Sequence, residues 1–250
     1  MAVKIGSARI DEHGHITGGA AGDQTGTEVS TQDWYLHKKG WVVLRAKDPK
    51  KRKKIAYAMK AACNNKNVGY DQGNRYGLYN AVKNKGFDPA ECTVMTETDC
   101  SETVRVCAKY AGINAGDFNT STEVDTLMKT GEFDKLTDSK YTTQSAYLLT
   151  GDILVTKTSG HTVVVLSDGD KAAPTNKIAK PVLKPGDKDP QVAILQRNLN
   201  KVLKINLADD GIFGQKTSNA LVKFKKQNNY TKNGATYDYK CETLMKQYIK

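Results

Sequence analysis

The sequence predicts an α+β protein of two domains. Three observations carry that expectation. Helical patterns come first in the opening 170 residues and β-branched strand patterns follow them, the segregated order of an α+β fold. A proline-rich stretch, "KAAPTNKIAKPVLKPGDKDP" (Lys171 to Pro190), then holds four of the six prolines and no apolar periodicity. Beyond it, apolar residues recur at helical spacing to the end of the chain.

The elements follow in order. "SARID" and "HITGG", Ser7 to Asp11 and His15 to Gly19, read as an N-terminal hairpin. Asp48 and Pro49 make a helix start, with Ile55, Met59 and Cys63 on one face. A second helix is expected from about Asp71 to Lys85, stopped by Gly86. A third runs from Cys100 to Ala111 before Gly112, capped by Thr98 or Asp99. "GDILVTKTSGHTVVVL", Gly151 to Leu166, reads as two strands joined by a turn at Lys157 to Gly160.

After the linker, Asp189 and Pro190 begin a helix that buries Val192, Leu195, Leu199 and Val202. "DGIFGQKTSNAL" (Asp210 to Leu221) and "NGATYDYKCETL" (Asn233 to Leu244) then align as two half-repeats, each a tight glycine turn feeding a short helix. The first helix is expected to bury Ala220, Leu221 and Phe224, and the second Cys241, Leu244 and Tyr248. The expected boundaries are 1–170 for the first domain, 171–186 for the linker and 187–250 for a small three-helix domain.

The net charge is +11, and it is uneven. Lys180 to Lys250 hold 14 basic and 6 acidic residues, whereas the rest holds 24 and 21. A basic tail attracts a polyanion: nucleic acid, an anionic membrane or an anionic cell wall. No run of about 18 apolar residues could span a bilayer. The start, "MAVKIGSARIDEHG", lacks the apolar core of a secretory signal, so cytoplasmic accumulation is expected, with release to the wall by some other route. Five cysteines without a signal peptide argue against a disulfide framework, and no CxxC pair marks a zinc site. No metal or cofactor is expected.

Chemistry concentrates at "TETDCSETVRVC", Thr96 to Cys107. Cys100 falls in the first turn of the third helix, where unpaired amides and the positive dipole end favour a thiolate and could hold an oxyanion. Glu97, Asp99 and Glu102 oppose this and call for a cationic partner. The same position also suits a small buried residue. Cys107, mid-helix on the same face, reads as core, as does Cys63. A cysteine hydrolase needs an imidazole to take and return a proton. Of four histidines, His13 and His15 lie in a solvated turn and His37 follows "DWYL" without a motif. His161 opens a strand directly after Gly160, a rigid position suited to chemistry or to a strand-edge surface residue.

Together, Asp99-Cys100-Ser101, Gly151-Asp152 and Gly160-His161 resemble the motifs of the NlpC-type branch of papain-like peptidoglycan peptidases and the related CHAP amidases. "GGAAGDQTGTEV" and "VGYDQGNRYGLY" resemble segments of phage cell-wall lysins. The resemblance implies a papain-like first domain with Cys100 as nucleophile and His161 as base. Glu102, Thr103 and Val104 depart from the family's small residue and Leu-Val. Asp71 and Asp23 are candidates for a third, orienting group, or are turn formers. Asp168 lies too far along its strand from His161 for that role. Tyr70, Gln72, Asp99 and Ser101 are candidates for substrate binding.

The last domain resembles the peptidoglycan-binding module fused to such enzymes, through "LQRNLN" (Leu195 to Asn200), "DGIFG", Thr217, Ala220 and Phe224. Asp210, Gly211, Phe213 and Gly214 are its wall-binding candidates. Lys225 stands where the family usually has Gln, and Tyr237 where the first half-repeat has Gly214. The resemblance implies a monomeric endolysin that hydrolyses a peptidoglycan amide, as endopeptidase or N-acetylmuramoyl-L-alanine amidase. Its partner is then peptidoglycan, with no nucleic acid and no membrane insertion. Two rivals stand beside it. A zinc-dependent amidase would need further ligands than His13 and His15. A non-enzymatic basic polyanion-binding protein would use "KDPKKRKK", a run without aromatics to stack bases.

Overall fold

A computed structural model describes residues 2–171 and 182–249. The chain divides into two compact units, Met1–Ala172 and Ala173–Lys250. The first mixes helices and strands, as an α+β reading requires. Its six-stranded sheet has the order β2-β1-β8-β7-β3-β6, from β1 (Lys4–Ala8), β2 (Val29–Asp33), β3 (Trp41–Ala46), β6 (Phe133–Leu136), β7 (Ile153–Thr156) and β8 (Thr162–Val165). Every neighbouring pair is antiparallel. A separate parallel pair joins β4 (Val68–Tyr70) to β5 (Thr96–Thr98), with Tyr70 opposite Thr98.

The sheet is covered on both faces, which explains the unbroken apolar runs of β7 and β8. Ile153, Val155 and Val164 meet the helical side, against Ile55, Met59, Val104 and Cys107. Leu154, Val163 and Val165 face the other way, onto Trp41, Val3 and Leu148. The helical side carries α1 (Pro49–Asn64) and α3 (Cys100–Tyr110), which pack on each other. Asp48 caps α1 at the Lys50 amide (2.8 Å), and Asp99 caps α3 at the Glu102 amide (2.7 Å).

Several expectations change. Ser7 to Asp11 and His15 to Gly19 form no strand ladder, though the Asp11 amide donates to the His15 carbonyl at 2.9 Å. β1 pairs with β2, and the segment between them is an irregular loop, because Asp11 folds it tightly through its own carboxylate, on the His13 and His15 amides. The second helix is only α2 (Gly77–Val82), since Asp71 spends its carboxylate on a turn, accepting from the Gly18 and Gly73 amides. β2, β3 and β6 carried no recognised pattern.

The Gly151-Asp152 pair is a structural staple. Gly151 has φ +87°, and a Cβ there would stand 2.1 Å from the Arg52 carbonyl oxygen. Asp152, fully buried, takes a two-pronged bond from Arg45 of β3 at 2.8 and 2.6 Å, plus the Leu149 amide at 2.8 Å. Burial holds the Asp152 carboxyl above its usual range even so, while Asp152 keeps Arg45 protonated.

After α4 (Glu123–Lys129) and α5 (Ser139–Thr142) of the first unit, the described residues of the second unit include α6 (Pro190–Leu203), α7 (Gln215–Gln227) and α8 (Tyr239–Met245). Lys171 and residues 182–186 of the expected linker are described, whereas 172–181 lie outside the described residues. Leu183 is fully buried in this unit and exchanges two backbone hydrogen bonds with Tyr237 (3.0 and 2.8 Å), so an ordered edge begins before position 187. α8 buries Cys241 and Met245; Tyr248 lies past the helix end, half exposed, with its hydroxyl on Asn228.

Candidate active site

Cys100 is the first residue of α3, and α3 packs against β8. The Thr162 amide, directly after His161, faces the Cys100 sulfur, as does the Ser101 amide. Both favour a thiolate, but they are outweighed. Burial first, then Asp99 and Glu123, push the thiol up to about 12. The sequence sets the dipole end against anionic neighbours; the sulfur's enclosure, with Asp99 and Glu123, decides for the neutral thiol in the resting site.

His161 is half-buried, and burial, His37 and Arg9 bring its imidazole down to about 4. The resting pair is therefore a neutral thiol and a neutral imidazole. No hydrogen bond joins Cys100 to His161 among the described residues, but they share surroundings. Tyr35 senses both Arg9 and Cys100, and its ring lies 6.0 Å from that of His37. The His37 ring in turn lies 6.5 Å from that of His161. Tyr70, beside Thr98 at the entry to α3, also senses Cys100.

Four site residues escaped sequence reasoning. His37 accepts the Lys39 amide at Nδ1 (3.0 Å), so its neutral ring carries the proton on Nε2, and burial with Lys39 and Lys38 keeps it neutral. Arg75 is the cation the carboxylates at the helix start require. Its Nε lies 2.9 Å from Asp99, and another nitrogen lies 3.5 Å from Glu102. Arg105 adds a 3.0 Å contact to the buried Glu102, whose pKa burial still raises to about 7. Glu123 is fully buried and bonded to the Thr162 hydroxyl at 2.8 Å. Loop and helix-start residues of this kind carry no sequence period that would announce them.

The remaining candidates are placed as follows. Asp99 and Ser101 are buried in the helix cap, with the Ser101 hydroxyl on Asp99 at 2.9 Å. Gln72 is exposed and donates to the Tyr70 hydroxyl at 3.0 Å. Asp23 accepts from the Glu28 amide (3.0 Å) and pairs with Lys66 (3.3 Å). Asp71 serves the Gly18 and Gly73 amides. Asp168 accepts from Thr150 at 2.7 Å. The groups that shift His161 include none of these carboxylates. His13 and His15 are exposed, and no three His, Cys, Asp or Glu converge as a metal-holding group among the described residues.

In the second unit, Gln196 is buried and donates to Asp210 (2.9 Å), the Ile212 carbonyl (2.9 Å) and Thr217 (3.0 Å). It also accepts the Gly211 amide at 2.9 Å. Phe213 lies in the core and Gly214 precedes α7. Lys225, 2% exposed, donates to the Gly234 and Thr236 carbonyls at 2.8 and 3.1 Å. Its departure from the family's Gln thus has a structural use, tying α7 to the second half-repeat.

Residues 5–172 match the endolysin-like domain family, and residues 188–235 match the peptidoglycan binding domain family. No curated protein and no solved structure matches the chain. The two matches define a cell-wall lytic protein with a peptidoglycan-hydrolase unit and a peptidoglycan-binding unit. Because the first match covers more than half of its residues, the chain belongs to the endolysin-like domain family.

Proposed function

We propose that the first unit is a papain-like cysteine amidohydrolase of the NlpC/CHAP type, from a phage or prophage endolysin. Cys100 attacks an amide carbonyl of peptidoglycan, either the sugar–peptide link or a peptide bond. The observation that supports this most is the Thr162 amide facing the Cys100 sulfur, one residue from His161. It supports the reading because Thr162 adjoins His161, which lies 61 positions along the chain from Cys100.

The neutral resting pair directs the chemistry. His161 takes the thiol proton as the sulfur attacks, in step with substrate binding, because a free thiolate is disfavoured beforehand. The carbonyl oxygen becomes an oxyanion, which the backbone amides at the start of α3, with Tyr70 and Gln72, stabilise in this reading. His161 then returns the proton to the leaving amine, and water releases the acyl group from sulfur. Asp99 and Ser101 act behind the nucleophile, in the cap. A Cys-His dyad serves here, with Asp71 and Asp23 acting as turn formers on the Gly18, Gly73 and Glu28 amides. In the second unit, Asp210, Gly211, Phe213 and Gly214 shape the module, and its basic exterior keeps the enzyme on the anionic wall, raising local concentration.

The test is Cys100→Ala on purified cell walls: clearing should fall to background while binding persists. Full clearing by the variant excludes the mechanism. Activity that survives thiol alkylation and disappears with chelator would support the zinc reading instead.

A further inference from the structure

Glu123 stands behind the nucleophile and no part of the mechanism above uses it. It opens α4 (Glu123–Lys129) and is 0% exposed. Its Oε1 accepts the Thr162 hydroxyl at 2.8 Å, and its Oε2 is buried with no hydrogen-bond partner among the described residues. Thr162 is therefore held at two points. Its hydroxyl is fixed on Glu123, and its amide faces the Cys100 sulfur. A second tether lies two residues away, where the Gly160 amide donates to the Thr120 hydroxyl at 2.9 Å. The segment 120–123 thus grips both sides of His161.

The facing groups indicate which form Glu123 takes. Asp99 stands on α3, Cys100 beside it, and Thr162 on β8. Arg75 is already committed to Asp99 and Glu102. An unpaired carboxylate buried among these groups would oppose the thiolate directly, whereas a neutral acid keeps the hydrogen bond without the charge.

We propose that Glu123 is a positioning residue of the site: it holds the Thr162 hydroxyl, and so sets the backbone amide of Thr162 beside the Cys100 sulfur. This rests on the reading of Cys100 as nucleophile. It also assigns a use to a buried acid that packing alone would replace with an apolar residue.

The experiment compares Glu123→Gln, Glu123→Ala and Thr162→Val in the full chain. It reads kcat and KM on purified walls, the pH profile of Cys100 alkylation by iodoacetamide, and thermal unfolding. Glu123→Gln keeps a neutral acceptor, so kcat should stay within about threefold of the parent. Thr162→Val and Glu123→Ala should each lower kcat by about tenfold or more at unchanged KM, and should shift the alkylation profile. Their double variant should lose no more than either alone. Should Glu123→Ala fail to fold, Thr162→Val and Glu123→Gln still decide the matter. Parent-like kcat and alkylation in Thr162→Val overturn the proposal. A folded Glu123→Gln with kcat reduced tenfold or more also overturns it, since the acid proton itself would then be needed. Alkylation reports on the sulfur whether or not it is the nucleophile, so this outcome is separable from a failure of Cys100→Ala.

Discussion

At Cys100 two electrostatic effects compete, and burial decides between them. Helix-end amides favour the thiolate, while enclosure, Asp99 and Glu123 lift the thiol to about 12. That rise from an ordinary value of 9.0 predicts much slower alkylation at neutral pH than for an exposed cysteine. Measured iodoacetamide rates check this, with the rate recovering in denaturant. His161 moves the other way, to about 4. A base with a depressed pKa stays neutral until the pH falls through that value. The pH profile of kcat/KM should accordingly be flat from about pH 5 to pH 9 and fall only near pH 4. An acid limb near 6.5 would show that the resting imidazole is not buried as described. Asp238 illustrates the stability side. Bonds from Tyr230, Asn233 and the Cys241 amide outweigh its partial burial and lower it to about 2. Its contribution is complete above its ordinary value of 3.8 and disappears as the pH falls through 2.

Elements depend on a few buried polar anchors rather than on apolar area alone. Asp152 and Arg45 lock the β7 entrance to β3, and Asp152 has no exposed side-chain surface. Asp152→Ala leaves Arg45 without its partner, so denaturant unfolding should show a loss of about 3–5 kcal/mol. Gly151→Ala sets a methyl against the Arg52 backbone at a left-handed φ, and should cost well over 1 kcal/mol by the same measurement. Gln196 anchors the turn Asp210 to Thr217 through four hydrogen bonds. Gln196→Ala strands several buried partners and should lower the second unit's stability by roughly 1–3 kcal/mol, read as a shift in its calorimetric transition. Two of the resemblance motifs, "GD" and "LQRNLN", thus carry fold rather than chemistry. Asp152 and Gln196 are buried polar groups, which must be paired.

For the whole molecule, the useful property is the division of labour between two units of unequal charge. Its basic excess sits in the unit whose residues 188–235 match the peptidoglycan binding domain family. Retention of the protein on purified walls should therefore weaken as salt rises from 50 to 500 mM, roughly, with little change in the intrinsic rate on small soluble fragments. Equal rates on walls and fragments at every salt concentration would remove electrostatic targeting from the account. The sequence by itself determined the two-unit organisation, the start of α3 at Cys100 and the β7–β8 hairpin, because caps, turns and period are local and act within a few residues. Only the tertiary structure decided which groups surround Cys100 and His161: Thr162, Glu123, Arg75, His37 and Arg9 come from separate segments with no shared spacing. It also decided the protonation states, since a pKa is set by enclosure and by neighbours in space, and neither is a property of position along the chain.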